Sequence, residues 1–82
     1  MAAQIGELTD VVRSVLRNPE VELHASTRFD DLPAWDSMYL VSVIVEIEFR
    51  WGLLFEPDEM DALHTAGDLL RMIAGKQALA RT

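Results

Sequence analysis

Trp35-Asp36-Ser37-Met38-Tyr39-Leu40-Val41-Ser42-Val43-Ile44-Val45-Glu46-Ile47-Glu48-Phe49-Arg50-Trp51-Gly52 is the stretch that decides the fold of this chain. An acidic, turn-rich segment ends at Asp36, and a long apolar run follows directly. Aspartate is a good N-cap because its side-chain oxygen accepts from the free N–H groups of a first helical turn. Gly52 closes the run, as glycine commonly does at a helix stop. The β-branched residues inside the run would suit a strand, but length, cap and terminating glycine together predict a helix over residues 37–51. Ser37 then occupies the first helical position, a poor place for a core residue and a good one for an exposed hydroxyl.

On a helical wheel at about 100° per residue, Leu40, Val43, Ile44, Ile47 and Trp51 form one apolar sector. Met38, Val41, Val45 and Phe49 form a second, separate sector. Tyr39, Ser42, Glu46 and Arg50 fill one flank between the two, and Glu48 lies on the other. A helix with one solvent face does not need two apolar sectors. Either both are buried in a central helix of a small bundle, or Met38, Val41 and Val45 form a docking patch beside Ser37.

Outward from this helix, Ile5, Leu8, Val12, Val15 and Leu16 recur at helical spacing and predict a first helix over about residues 2–17, stopped by Asn18-Pro19. Glu20 to Trp35 is a long connection that needs pins of its own, with Phe29 and Leu32 the best candidates. Pro57 and the acids behind it open a short third helix over about residues 58–63. Thr65-Ala66-Gly67-Asp68 reads as a capping box with aspartate in place of glutamate. It starts a fourth helix over about residues 66–75 carrying Leu69, Leu70, Met72 and Ile73, with Lys76 to Thr82 a frayed tail. The expected fold is all-α: one domain over residues 1–82, a small four-helix bundle with a long loop between helices 1 and 2 and a short, tilted third helix.

The chain has 82 residues, half of them hydrophobic, which supports a core without disulfides or a metal. It contains no cysteine, so a disulfide scaffold and a thiolate metal site are excluded, and any thiol chemistry must come from an added group. Met1-Ala2-Ala3-Gln4 lacks the features of a signal peptide, and no apolar run reaches the roughly 20 residues that span a bilayer. A soluble, cytoplasmic protein without membrane contact is expected. The net charge is −7 overall, and from Asn18 to Asp68 twelve acidic residues face only Arg28 and Arg50, a local balance of −10. Such a field repels nucleic acid and attracts basic protein surfaces, although acidic side chains also serve plain solubility.

These residues resemble the acyl carrier protein family, in the branch with a Trp-Asp-Ser form of its Asp-Ser-Leu motif. The likeness extends from Phe29–Leu32 before the motif, through Met38, Val41, Val43, Ile47, Glu48 and Trp51, to the acidic stretch Pro57–Leu63 and to Thr65 with Asp68. It implies a stand-alone, monomeric carrier that is a substrate of enzymes and not an enzyme. By the resemblance, Ser37 is the attachment point of 4′-phosphopantetheine and Asp36 supports it. Met38, Val41, Val45, Glu48 and Trp35 are then contacts for partners, namely a phosphopantetheinyl transferase and acyl-loading and acyl-processing enzymes. Part of the Met38 sector would also line the shelter of a bound acyl chain.

The chain departs from the family pattern at Pro33-Ala34, where glycine is frequent, and at Met38, usually leucine. Tyr39 and Ser42 are neutral where fatty-acid carriers are acidic, and Phe49 replaces an acidic or polar residue. These departures argue against a housekeeping fatty-acid carrier and for a dedicated one in a specialised pathway; among fatty acyl, polyketide, hydroxyacyl and aminoacyl cargo the sequence does not choose. A peptidyl carrier of the same fold and an unmodified helical adaptor docking through the second helix are the alternatives. His24 and His64 are isolated, and Asp58, Glu59 and Asp61 lack the ligand rhythm of a calcium loop, so no metal site is expected. Trp51 reads as core, and Trp35 as a cover for the base of the serine loop.

Overall fold

The computed structural model describes residues 4–80, and among these the chain forms four α-helices and no strand. The helices are α1 (Ile5–Leu16), α2 (Ser37–Trp51), α3 (Pro57–Asp61) and α4 (Ala66–Ala80), with a 3₁₀ turn at Phe29–Asp31 inside the long connection. α1 packs against both α2 and α4. The interior is built from Leu8, Val11 and Val12 of α1, Val43, Ile44 and Ile47 of α2, and Leu69 and Ile73 of α4. Each such side chain removed from water contributes roughly 1.5–3 kcal/mol. Val11, outside the helical pattern expected for α1, completes its buried face beside Leu8 and Val12.

α1 is one residue shorter at its C-terminal end than expected. Arg17 adopts a left-handed conformation at φ 53°, and its N–H donates to the carbonyls of Arg13 and Ser14, which ends the helix before Pro19. The expected start at Ala2 falls outside the described residues. α3 begins at Pro57 and ends at Asp61, two residues short of expectation, and Leu63 turns inward to join the core at 5% exposure.

The largest difference lies in α4, which continues through Gly75 to Ala80 instead of fading there. A glycine inside a helix costs only about 1 kcal/mol relative to alanine. Contacts beyond the glycine offset that cost. Lys76 Nζ donates to Glu59 Oε1 at 2.8 Å and lies 4.9 Å above the centre of the Phe55 ring. The Lys76 hydrogen bond, with the Glu56 backbone N–H, holds the Glu59 carboxyl below the usual carboxylate range. Residues 76–80 are therefore helix and not tail, while residues 81 and 82 lie outside the described chain.

The long connection is pinned by Phe29 and Leu32, and also by Val21 and Leu23, all buried. It is stitched to the start of α4 by backbone hydrogen bonds: Phe29 N to His64 O at 3.0 Å, Ala66 N to Thr27 O at 2.9 Å and Gly67 N to Ala25 O at 2.9 Å. Gly67 allows this approach, because a Cβ there would sit 2.7 Å from the Ala25 carbonyl oxygen. The capping box also forms. Asp68 N donates to Thr65 Oγ1 at 3.1 Å, and Asp68 Oδ2 accepts from the N–H groups of Thr65 at 3.0 Å and His64 at 3.1 Å. The Thr65 and His64 hydrogen bonds depress the Asp68 pKa, and Arg71 pairs with the same carboxylate.

Candidate functional site

The site is assembled at the junction of the long connection and α2. Asp36 is extended at φ −139° and ψ 148°, and its Oδ1 accepts from Met38 N at 2.8 Å. Its carbonyl accepts from Tyr39 N at 2.8 Å. Ser37, between these bonds, is the first residue of α2 and is exposed. Its hydroxyl stands at the end of the helix where unpaired N–H groups and the helix dipole favour negative charge. The residue is a primary alcohol on the exposed surface of the bundle.

The turn beneath the serine is held from below. Trp35 N donates to Leu32 O at 3.2 Å, and the Trp35 ring stacks on Phe29 with centroids 5.3 Å apart and planes 17° apart. The Tyr39 ring lies tilted against Trp35, with centroids 6.0 Å apart. Phe29 is buried at 3% exposure, so this stack fastens the surface loop to the core. Trp35 is itself half-buried, in keeping with a residue that covers the base of the loop. Before it, Ala34 takes a left-handed conformation at φ 57°. A residue with a Cβ pays strain of roughly 1–2 kcal/mol there, which no local sequence signal reveals.

The two apolar sectors of α2 separate cleanly. Val43, Ile44 and Ile47 are buried, with Leu40 and Trp51 packed against them at the edge of the core. Trp51 is thus only half-buried, because it lies in the last turn of α2 where the bundle ends. Met38, Val41, Val45 and Phe49 are exposed, at 67%, 42%, 57% and 87%. They face solvent and do not wall an interior.

Glu48 is engaged elsewhere. Its Oε2 accepts from Phe55 N at 2.8 Å, and its carbonyl accepts from the N–H groups of Gly52 and Leu53. Glu48 therefore organises the turn after α2, a partnership seven residues distant that the wheel does not show. At that end, Gly52, Leu53, Leu54, Lys76 and Leu79 line an open groove of about 360 Å³. It lies at the opposite end of α2 from Ser37. Among the described residues no cluster of three His, Cys, Asp or Glu is placed to hold a metal ion, and no helix is long and apolar enough to cross a membrane.

No protein-family model matches the chain. Among solved structures, it is similar to the holo acyl carrier protein from Geobacter metallireducens, at 28% identity and a TM-score of 0.86, covering 94% of this chain and 88% of that one. The 3,5-dioxohexyl acyl carrier protein of the actinorhodin polyketide synthase from Streptomyces coelicolor, a triketide mimic, superposes with a TM-score of 0.83 at 21% identity, over 98% of this chain and 96% of that one. The hexanoyl form of that carrier gives a TM-score of 0.77, at the same identity and coverage. At this identity the two Streptomyces structures speak for the fold alone.

Proposed function

We propose, from the premise that this chain belongs to the acyl carrier protein family, that Ser37 bears 4′-phosphopantetheine and that the protein presents acyl intermediates to partner enzymes as a cytoplasmic monomer. The observation that supports this reading best is the exposed serine at the first position of a capped helix. When bound, the group supplies a terminal thiol, which this cysteine-free chain lacks, and with it thioester chemistry. The protein is a carrier and not an enzyme.

The chain's own residues supply access, placement and charge. Asp36 fixes the first turn through Met38 N, so that the Ser37 side chain leaves the helix in a set direction. The N-terminal end of α2 offsets the negative charge of a phosphodiester at Ser37, against the like charge of Asp36. The Trp35–Phe29 stack keeps the loop from swinging when a partner engages it. Met38, Val41 and Val45 present an apolar strip next to the serine; Glu48, expected beside them, is bonded to Phe55 N through Oε2. The phosphopantetheinyl transferase and the acyl-loading and acyl-processing enzymes would meet this face. Neutral Tyr39 and Ser42 and exposed Phe49 support a specialised biosynthetic pathway for it.

An unmodified adaptor would use the same strip, but it gives no role to the open hydroxyl. Intact-mass measurement after incubation with coenzyme A, magnesium and a broad-specificity phosphopantetheinyl transferase separates the two. We expect a gain of one phosphopantetheinyl group that Ser37→Ala abolishes. No gain with several transferases would overturn the carrier reading.

A further inference from the structure

Of the seven lysine and arginine side chains in this protein, six are arginine, and Lys76 is the only lysine. Lysine is ordinarily among the commonest residues of soluble domains. The two cations differ in chemistry. A guanidinium keeps its proton in proteins, whereas an ammonium can lose one and become a nucleophilic amine. Lys76 therefore carries the one side-chain amine of the chain, and no thiol accompanies it. The segment from Met1 to Gly75, which contains Ser37, has no lysine at all.

The fold then ties this amine down. Lys76 Nζ donates to Glu59 Oε1 at 2.8 Å, and the lysine side chain is only 19% exposed. The same oxygen accepts from Glu56 N at 2.7 Å, so the capping box of α3 fixes the carboxylate that holds the amine. The ammonium also makes a cation–π contact, 4.9 Å from the centre of the Phe55 ring. An amine engaged in this way must leave both partners before it can present a lone pair. Lys76 stands beside Gly52, at the end of α2 remote from Ser37. At about 1.5 Å per residue, that helix is roughly 22 Å long.

We propose that Lys76 is a sequestered nucleophile, and that its clasp by Glu59 and Phe55, with lysine absent around Ser37, keeps the protein from consuming an acyl thioester by aminolysis. In that reaction the amine lone pair attacks the thioester carbonyl, a C–N bond forms and the C–S bond breaks. The leaving thiolate takes up the proton that the amine gives up. The acyl group ends as an amide, which no longer has the activation of a thioester. The relevance to carried groups rests on the carrier reading; the low reactivity of Lys76 toward a free thioester does not.

The first test exposes the protein to S-acetyl-N-acetylcysteamine, a small free thioester, in mildly alkaline buffer, and maps acetylated lysine by proteolysis and mass spectrometry. Ala78→Lys places a comparison lysine at an exposed position of the same helix. Lys76 should be acetylated at least about fivefold more slowly than that introduced lysine. Glu59→Gln, shown folded by circular dichroism, should raise the Lys76 rate by a similar factor of about five. Equal rates at the two lysines, or a Lys76 rate unchanged in folded Glu59→Gln, would overturn the proposal. If Glu59→Gln does not fold, the comparison with Ala78→Lys decides. The second test loads the protein from acetyl-coenzyme A with a transferase and follows its intact mass and thioester content. Ser42→Lys should convert thioester to amide and shorten its lifetime at least about threefold relative to Ser42→Arg. Equal lifetimes, or an amide on Lys76 in the unsubstituted protein, would overturn the protective role. Failure of Ser37 to load would remove the carrier reading without touching the result with the free thioester.

Discussion

At the start of α4, Thr65 and Asp68 bond each other's backbone, Asp68 also receives the His64 N–H, and Gly67 lies against the Ala25 carbonyl. At the start of α2, Asp36 makes one capping bond to Met38 N, and the residue after it is open to solvent. Both starts use an acidic or hydroxyl side chain to satisfy first-turn N–H groups. One is stitched into the long connection and acts as a structural joint. The other is anchored only from below, through Trp35 on Phe29, and presents its first side chain outward. The contrast shows how similar capping chemistry yields a rigid seam where backbone is packed over it and an accessible group where it is not.

The sharpest way to break this contrast is Gly67→Ala. Its Cβ would meet the Ala25 carbonyl oxygen at 2.7 Å, so a loss of about 2 kcal/mol is expected in urea unfolding. A change near zero would show that the seam yields. The two caps should then differ in coupling more than in size. Thr65→Ala and Asp36→Ala should each cost about 1 kcal/mol. In a double-mutant cycle Thr65 and Asp68 should couple by at least about 0.5 kcal/mol, whereas Asp36 and Ser37 should not. Coupling at both starts would erase the distinction.

Acid unfolding sharpens the comparison further. Backbone hydrogen bonds from Thr65 and His64 hold the Asp68 pKa below its unfolded value. Its contribution to stability is therefore complete above about pH 5 and is lost as pH falls through the lowered folded pKa. Asp68→Asn should flatten the acid limb of the stability profile measured by circular dichroism below that pH. The smallest effect is expected before the serine. Ala34→Gly removes the penalty of a Cβ at φ 57° and adds unfolded-state freedom, for a net gain of about 0.5 kcal/mol in the same urea assay. A loss on this substitution would show that the turn is relaxed as it stands.

Local chemistry was the legible part. Asp36 and Gly52 bracket α2 because capping and chain reversal depend on neighbouring residues alone, and Thr65 with Asp68 announces its box for the same reason. The geometry of the candidate site was legible as far as an exposed serine, its cap and an apolar row beside it. The wheel resolved two apolar sectors but could not tell which one met the bundle. Phe49 was visible as a member of the second sector, yet it was not among the expected partner contacts. Glu48 was expected on the partner surface, and its bond to Phe55 N depends on how the following turn closes back on α2.

What the sequence by itself determined is the set of elements: an all-α chain, a capped serine at the head of its second helix, and a strongly acidic balance. These follow from periodicity, caps and charge, which act over a few residues or over the whole chain. Only the tertiary structure decided that α4 continues past Gly75, that Ala34 is left-handed, and that the Met38–Phe49 row faces water. Each depends on contacts between segments distant in the chain. Lys76 meeting Glu59 and Phe55, and a core already filled by Val43, Ile44 and Ile47, are outcomes of packing, and packing is a property of the assembled bundle.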